Sequence, residues 1–296
     1  MSPGVGKNVL YSLSLGVLLL LSLIASEYKI WANLKYHVFR NYGKEPPDKE
    51  IYEDDDVAEE KKKIRGTTEA QLLKEYNLVL KDMTKYYRKF LAVNAICLGV
   101  GQYECFGLLG VNGAGKTSTF KMITGDTSMT YGNAWVHHFN VKTQLTKVQR
   151  VIGYCPQFDA LLTDLTAKET VIMFALLRGI PLSECKYVAE KLAQEFDFVQ
   201  HLNKRIRKLS GGNKRKISTA ISLVGDPPVI CLDEPSAGTT ISMHFYLCII
   251  KNYICVSGMD PVTKRNLWNA ICGIRDSGKC ILFTSHSMEE CEALCT

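Results

Sequence analysis

The chain has 296 residues, enough for one large domain or two small ones. Its net charge of +6 is mild and its lysines and arginines are spread over several segments, which gives no support for a nucleic-acid-binding protein. Eleven cysteines are many, but neither paired C-x-x-C spacing nor the short frame of a disulfide-rich secreted domain is present. Cys97, Cys105, Cys231 and Cys248 lie in apolar runs, where a thiol behaves as a small hydrophobe. We therefore expect reduced, mostly structural cysteines.

The N-terminal segment contains an uncharged, Leu-rich run of nineteen residues, 8–26. An apolar helix of about 20 residues crosses a bilayer. The flank after it carries Lys29 and Arg40, with Trp31 at an interfacial position, so the positive-inside rule places the following chain in the cytosol. We predict one transmembrane helix with its juxtamembrane segment in residues 1–40. A cleaved secretory signal peptide is the alternative.

Residues 41–75 differ in character from both flanks. Pro46 and Pro47 break any helix, and residues 52–64 then place an acidic block ahead of a basic block. Opposite charges three or four positions apart can support a solvated helix, and a flexible charged tether is the alternative. In either case this charged linker joins the membrane segment to a cytosolic domain, which we predict for residues 76–296.

Short alternating apolar runs begin near Leu78 and predict strands. Tyr86 and Tyr87 precede residues 91–100, which we predict to be a hairpin. Because the next motif along the chain binds phosphate, the ring of Tyr87 is a candidate to stack on the base of a nucleotide. An aromatic ring packed on the sheet edge is the alternative.

Residues 110–117 read GVNGAGKT and match the pattern G-x-x-x-x-G-K-T. Residues 105–109 ahead of them predict a buried strand, and residues 118–123 after them predict a helix. Glycines let successive backbone N–H groups point inward as an anion nest, and the helix dipole adds positive potential. Lys116 is placed to reach the β- and γ-phosphates and Thr117 to hold Mg²⁺. The predicted phosphate-binding residues are Asn112, Gly113, Ala114, Gly115, Lys116, Thr117 and Ser118.

The next segment combines a strand with a helical region. Residues 151–157 predict a strand that ends at Gln157, whose amide could bind Mg²⁺ or orient an attacking water. Residues 160–200 carry an apolar stripe at helical spacing, which residues 178–181 interrupt with Gly and Pro. We predict a helical subdomain over residues 160–224.

A second Gly-rich stretch, LSGGN at residues 209–213, precedes an amphipathic helix at residues 214–224. It forms another anion nest at a helix N-terminus, and an ordinary capped helix is the alternative. Two nests in one domain make sense if two copies pair head to tail and each closes the other's site. The residues predicted for this role are Ser210, Gly211, Gly212 and Asn213.

Two further apolar strands end in polar residues. Residues 229–234 form an apolar run without alternation, as in a central parallel strand, and end in Asp233 and Glu234. Asp233 is predicted to hold Mg²⁺, and Glu234 to polarise water as a general base. Residues 281–286 end in His286, whose imidazole could bridge the γ-phosphate and that base.

These motifs, in this order, resemble the ATPase domain of ATP-binding-cassette (ABC) transporters over most of the chain, from Leu78 to Thr296. They correspond to that family's Walker A, Q-loop, signature, Walker B and H-loop elements. Asn213, in place of the usual Gln of the signature, and the acidic linker are similar to subfamily A.

The resemblance implies an α/β fold, a P-loop NTPase domain of ABC type with a helical subdomain, preceded here by one transmembrane helix. It implies ATP and Mg²⁺ as cofactors, and as partners a second cassette, further membrane helices and a lipid substrate. The implied catalytic residues are Glu234, His286 and Gln157, and the implied metal-binding residues are Thr117, Gln157 and Asp233.

One departure from the family lies after the Walker B acids. The family places a run S-x-G-M-D-P there, but here residues 236–238 and 259–261 supply its halves with twenty residues, 239–258, between them. The insert is apolar and aromatic, whereas surface loops are usually polar. We interpret it as a retained intron or gene-model error, and an exposed hairpin is the alternative.

A second departure concerns extent. The chain has one apolar segment where the family has many, and it stops at Thr296 shortly after the H-loop. We expect it to be a piece of a larger transporter. The alternative function is a membrane-tethered fragment that binds ATP without transport activity of its own.

Overall fold

The computed structural model describes residues 13–24, 54–88, 90–236 and 261–295. Residues 1–51 and 52–296 belong to two separate compact units. In the first unit, residues 13–24 are helical and exposed. Within the described ranges, no helix combines the length and apolar character that crossing a membrane requires. The predicted membrane span, residues 8–26, begins and ends outside these ranges. The whole insert, residues 239–258, also lies outside the described residues.

The second unit alternates strands and helices. Its strands are β1 (Leu78–Tyr87), β2 (Phe90–Val100), β3 (Cys105–Leu109), β4 (Tyr131–Val136), β5 (Phe139–Asn140), β6 (Ile152–Cys155), β7 (Val229–Asp233) and β8 (Cys280–Ser285). Its helices are α1 (Asp55–Gly66), α2 (Glu69–Glu75), α3 (Lys116–Ile123), α4 (Leu145–Val151), α5 (Ala167–Leu177), α6 (Leu182–Glu195), α7 (Gly211–Ser222), α8 (Pro261–Asp276) and α9 (Met288–Leu294).

A four-stranded parallel sheet with strand order β3-β8-β7-β6 is the centre of the unit. Every residue of β7 is buried, as its unbroken apolar sequence predicted, because the strand lies between two neighbours and is covered on both faces. Parallel strands bring their carboxyl ends to one edge of the sheet. That edge therefore collects the segments that follow all four strands.

A second, antiparallel sheet has strand order β2-β1-β4-β5. The prediction of a hairpin within residues 91–100 is wrong, because these residues belong to the single strand β2, and the hairpin is formed by β1 and β2. The pairing of β2 with β1 is interrupted by a bulge. Met83 pairs with Ile96 and Lys85 pairs with Val93, so two residues of β2 lie opposite one residue of β1. Ala95 there has φ 42°.

The predicted helical subdomain is formed by α5, α6 and α7, and the predicted break at residues 178–181 separates α5 from α6. The first helix begins at Ala167 rather than at residue 160. Thr166 and Glu169 form a capping box, in which the Thr166 side chain accepts from the Glu169 backbone N–H and the Glu169 carboxylate accepts from the Thr166 N–H.

The described part of the charged linker is folded against the domain. The Ile64 side chain on α1 is fully buried in a cluster with Leu72, Val79 and Trp135. The Glu60 carboxylate accepts the backbone N–H of Gly99 in β2 at 3.1 Å. A flexible tether therefore does not describe residues 54–75, because Ile64 anchors α1 in a packed cluster with α2 and the antiparallel sheet.

Candidate nucleotide site

The candidate site lies where the parallel strands end. Residues that follow β3, β6 and β7 surround a cleft of about 340 Å³. The cleft is lined by Tyr87, Phe90, Ala92, Asn112, Gly113, Ala114, Gly115, Lys116, Thr117, Ser118, Gln157 and Glu234. The structure thus brings together all the predicted phosphate-binding residues, the candidate stacking residue and two of the three predicted catalytic residues.

Gly115 shows why the loop requires glycine. Its φ is 93°, and a Cβ at this position would lie 2.5 Å from the carbonyl oxygen of Ala92 and 3.1 Å from Cγ2 of Val93. Any side chain would therefore push the loop away from β2. The left-handed backbone at Gly115 also starts α3 at Lys116, two residues earlier than predicted, and places the helix N-terminus at the cleft.

The Lys116 ammonium group lies over the loop and near His286. It donates to the carbonyl oxygens of Gly110 and Val111, the latter at 3.1 Å, and lies 3.4 Å from Nδ1 of His286. An ammonium can only donate, so Nδ1 is the acceptor and the ring proton is on Nε2. That proton is donated to Oε1 of Glu234 at 2.5 Å.

Glu234 is held from both sides. Its Oε2 accepts from the side-chain amide of Gln157 at 2.9 Å, while Oε1 contacts His286. Its φ of 49° is unusual for a residue with a side chain, and such strain, worth about 1–3 kcal/mol, concentrates at functional sites. The result is an oriented carboxylate at the cleft, in the arrangement that a general base needs.

Asp233 lies beneath Glu234 and is not a lining residue of the cleft. It is 1% exposed, its Oδ1 accepts from the Thr284 hydroxyl at 2.7 Å, and its Oδ2 has no hydrogen-bond partner within the described part of the chain. A buried carboxylate oxygen with unused lone pairs fits a hard cation such as Mg²⁺, directly or through water. Burial first, and then the negative charge of Asp233, raises the pKa of Tyr154 on the neighbouring strand.

Thr284 was not predicted as a site residue. Its hydroxyl donates to Asp233 and accepts the backbone N–H of Glu234 at 2.9 Å, so one side chain orients both Walker B acids. The signal available in the sequence is a pair of hydroxyl residues, Thr284 and Ser285, that ends an otherwise apolar strand directly before His286.

Two aromatic side chains border the cleft. Tyr87 is 42% exposed and Phe90, which the sequence reasoning missed, is 66% exposed. The hydroxyl of Tyr87 lies 3.5 Å from Oγ of Ser118. The ammonium group of Lys85 lies 5.1 Å from the centroid of the Tyr87 ring, and burial lowers the pKa of Lys85. One face of the Tyr87 ring thus has a cation partner within the protein.

The second Gly-rich stretch is not part of this cleft. Ser210, Gly211, Gly212 and Asn213 lie at the start of α7, and none of them lines it. The Ser210 hydroxyl accepts from the backbone N–H of Asn213 at 3.3 Å and from its side-chain amide at 3.0 Å. Within a single copy of the chain, this segment is an N-cap.

The turn that carries His286 is fixed by a buried acid. Glu290 is 1% exposed, and its two oxygens accept from the Trp268 indole N–H at 3.2 Å and the Ser285 hydroxyl at 2.6 Å. The oxygen of that hydroxyl in turn accepts the backbone N–H of Ser287 at 2.9 Å. The residues on both sides of His286 are therefore tied to Glu290.

Comparisons with known proteins agree with this geometry. A family profile described as "ABC transporter" matches residues 93–237. The phospholipid-transporting ATPase ABCA3 of Homo sapiens is 47% identical over 247 residues, which cover 82% of this chain and 13% of that protein. ATP-binding cassette sub-family A member 17 of Mus musculus is 41% identical over 305 residues, which cover 100% of this chain and 16% of that protein. Retinal-specific phospholipid-transporting ATPase ABCA4 of Bos taurus is 41% identical over 296 residues, which cover 99% of this chain and 12% of that protein. The chain therefore spans between 12% and 16% of the length of these relatives.

Solved structures support the fold. The chain superimposes with a TM-score of 0.62 on an ATP-binding subunit of an ABC transporter, at 23% identity, covering 74% of this chain and 82% of the other. A second likeness, also with a TM-score of 0.62, is to the ATP-binding cassette MJ0796, a dimer bound to ADP and Pi, at 20% identity with coverages of 73% and 90%. The expected P-loop α/β fold is confirmed, and the chain contains an ATP-binding domain of the ABC transporter family, with relatives in subfamily A.

Proposed function

We propose that this chain binds and hydrolyses ATP to power lipid transport, as part of an ABC transporter of subfamily A. The observation that carries the proposal is the position of Glu234. Its carboxylate lies at the phosphate-binding cleft between the Nε2–H of His286 and the side-chain amide of Gln157. An oriented carboxylate beside a phosphate-binding loop is the arrangement that water activation requires.

In this proposal the nucleotide lies across the cleft. The adenine ring stacks on Tyr87, and residues 112–118 enclose the phosphates with backbone N–H groups. Lys116 neutralises the β- and γ-phosphates. Thr117, Gln157 and Asp233 would hold Mg²⁺, which supplies positive charge to the phosphates when bound. The unpartnered, buried Oδ2 of Asp233 supports this assignment.

The hydrolytic step uses the three side chains that meet at Glu234. The Glu234 carboxylate takes a proton from the attacking water, whose oxygen bonds to the γ-phosphorus while the bond from that phosphorus to the β–γ bridging oxygen breaks and ADP leaves. Gln157 orients that water through its amide, and His286 donates from Nε2 to stabilise charge on the transferred phosphoryl group. Glu234 releases its contacts to Gln157 and His286 when water and phosphate take their place.

The site is completed by a second cassette. The residues Ser210 to Asn213 lie outside this chain's own cleft, so their N–H groups and hydroxyl are assigned to the nucleotide of a partner copy. MJ0796, whose fold this chain shares, is described as a dimer, which supports the same arrangement.

The substrate and the membrane location rest on relatives and on sequence. ABCA3 and ABCA4 are named as phospholipid-transporting ATPases, which favours a lipid substrate over the alternative of an ATP-binding fragment without transport activity. Residues 8–26 would span the membrane, residues 41–75 would form the linker, and residues 76–296 would form the cytosolic ATPase domain. Extraction of membranes carrying the chain at alkaline pH tests the span: Leu18→Arg and Leu19→Arg together should release it.

ATP turnover and nucleotide binding by the full chain test the catalytic proposal. Glu234→Gln should abolish phosphate release but retain a fluorescent ATP analogue, whereas Lys116→Ala should lose both. Glu289→Gln, on an exposed side chain, is the matched control and should change neither. A chain that binds ATP but turns it over equally with and without Glu234 would rule out the assigned base. A chain that binds no ATP at all would rule out the site.

A separate experiment tests the interpretation of the insert at residues 239–258. Turnover is compared between the full chain and a form lacking residues 239–258. Equal and efficient turnover by both would contradict the interpretation of the insert as a retained intron or gene-model error.

A further inference from the structure

Arg215 is a fully buried cation that the proposed reaction does not use. It lies on α7, behind the Gly-rich start of that helix, and has an exposed fraction of 0%. A buried guanidinium group is costly unless its donors are paired. The hydrogen-bond partners of Arg215 therefore indicate what role the buried side chain has.

All three guanidinium nitrogens donate to the segments that carry the catalytic residues. Nε donates to the carbonyl of Pro235 at 3.2 Å, and Nη2 donates to the carbonyls of Asp233 and Glu234, the latter at 3.0 Å. Nη1 donates to the carbonyls of Pro156 at 2.5 Å and Gln157 at 3.3 Å, and to Oδ1 of Asp159 at 3.1 Å.

The two segments joined by this guanidinium are distant in sequence. Gln157 and Glu234 are separated by 77 positions, yet their side chains meet at 2.9 Å. That contact depends on the relative position of two backbones, and the Arg215 guanidinium is bonded to the carbonyl oxygen of each. A planar fork with five N–H groups fixes directions that a point charge such as an ammonium group cannot.

The charge of Arg215 is balanced within the same arrangement. The Asp159 carboxylate is 7% exposed and follows Gln157 by two residues, so the ion pair also belongs to the Gln157 segment. The remaining partners are backbone carbonyls, which accept hydrogen bonds but carry no net charge. The network therefore serves geometry rather than net charge.

We propose that Arg215 is a positioning residue that holds Gln157 and Glu234 at the separation their reaction requires. The inference rests on the proposed ATPase function and deepens it. Arg215 itself touches neither the cleft nor a reacting atom. Because it lies on α7, the helix capped by Ser210, it also connects the Gly-rich segment assigned to a partner's nucleotide with this chain's own general base.

Lys216 provides a matched control on the same helix. Its side chain is 5% exposed and its ammonium group bonds to the carbonyl and carboxylate of Asp197, at 3.1 and 3.3 Å. It is thus another buried, paired cation, one residue away, whose hydrogen bonds reach neither the Gln157 nor the Glu234 segment.

The experiment compares Arg215→Lys with Lys216→Met in the full chain. Arg215→Lys keeps the charge but loses the fork, so kcat should fall by between about 10- and 100-fold, as expected for a slight misplacement of reacting groups. Affinity for a fluorescent ATP analogue should stay unchanged. Lys216→Met should lower the thermal midpoint while kcat is retained. Wild-type kcat in Arg215→Lys, or an equal loss of kcat in Lys216→Met, would overturn the proposal.

A second measurement does not depend on turnover. With cysteines placed by Gln157→Cys and Glu234→Cys, the rate of disulfide formation between them reports the distance that Arg215 is proposed to set. Arg215→Lys should slow this rate and Lys216→Met should not. Equal rates of disulfide formation in the Arg215→Lys and Lys216→Met backgrounds would overturn the positioning role. If the original chain shows no ATP turnover but these two rates differ as expected, the result counts against the ATPase proposal and not against the positioning role.

Discussion

His286 and Glu234 are joined by an Nε2···Oε1 contact of 2.5 Å, and the position of Lys116 fixes which ring nitrogen carries the proton. The imidazole therefore donates from Nε2 to the carboxylate. Together with the Gln157 amide, this donor fixes the direction in which the Glu234 carboxylate points.

Replacing His286 by alanine should lower phosphate release by about 100-fold or more, in the range that removal of a general acid–base partner produces. Affinity for ATP should be nearly unchanged, because Lys116 and the loop remain. The measurement is kcat together with nucleotide affinity. His138→Ala, on an exposed turn that does not line the cleft, should leave both at their original values.

The aromatic border of the cleft gives a second prediction. Tyr87→Ala should weaken ATP binding by about 1–3 kcal/mol, the value of one base stacked on an aromatic ring. Inorganic triphosphate should bind to the variant and to the original chain equally well. Phe90→Ala measures how much the second ring contributes to ATP affinity. Tyr103→Ala is the control, because Tyr103 is exposed and does not line the cleft. Unchanged ATP affinity in both cleft variants would show that the base lies elsewhere.

Because Glu290 anchors the turn that carries His286, we expect its replacement to lower both the free energy of unfolding and kcat. Glu290→Ala would leave the buried Trp268 indole N–H without its acceptor, at a cost of about 1–3 kcal/mol, and would leave the Ser285 hydroxyl only its longer contact of 3.3 Å to the Ser287 carbonyl. It should also lower kcat, because the turn around His286 loses its anchor. Glu290→Gln should be milder, since its amide oxygen can accept from Trp268 while its NH₂ donates to Ser285. Urea unfolding and turnover are measured side by side. If Glu289→Ala, on the exposed neighbour, were equally damaging, the anchoring role would be refuted.

The linker helix gives a prediction about folding. Ile64→Ala should lower the free energy of unfolding by about 2–5 kcal/mol, because a fully buried side chain is truncated inside a packed cluster. Val57→Ala on the same helix is the control, since Val57 is 55% exposed and should cost little. Equal stability of both variants would mean that α1 does not pack on the domain.

The strands and the order of the site elements were predictable because each signal is local. An apolar run followed by a polar residue gave β7 with Asp233 and Glu234, and β8 with His286. The bulge at Ala95, by contrast, is defined by how β2 pairs with β1, and the local sequence of residues 91–100 carries no signal of that pairing. Arg215 and Glu290 could not be identified because an isolated charged residue in a helix is usually exposed, and only the tertiary fold shows these two to be buried.

The packing of α1 has a consequence for association between molecules. β2 is the outermost strand of its sheet and is eleven residues long and mostly apolar. Such an edge offers unpaired N–H and C=O groups to a strand from another chain. The Glu60 carboxylate accepts the backbone N–H of Gly99 and α1 lies against the strand, so this helix also blocks edge-to-edge growth of the sheet.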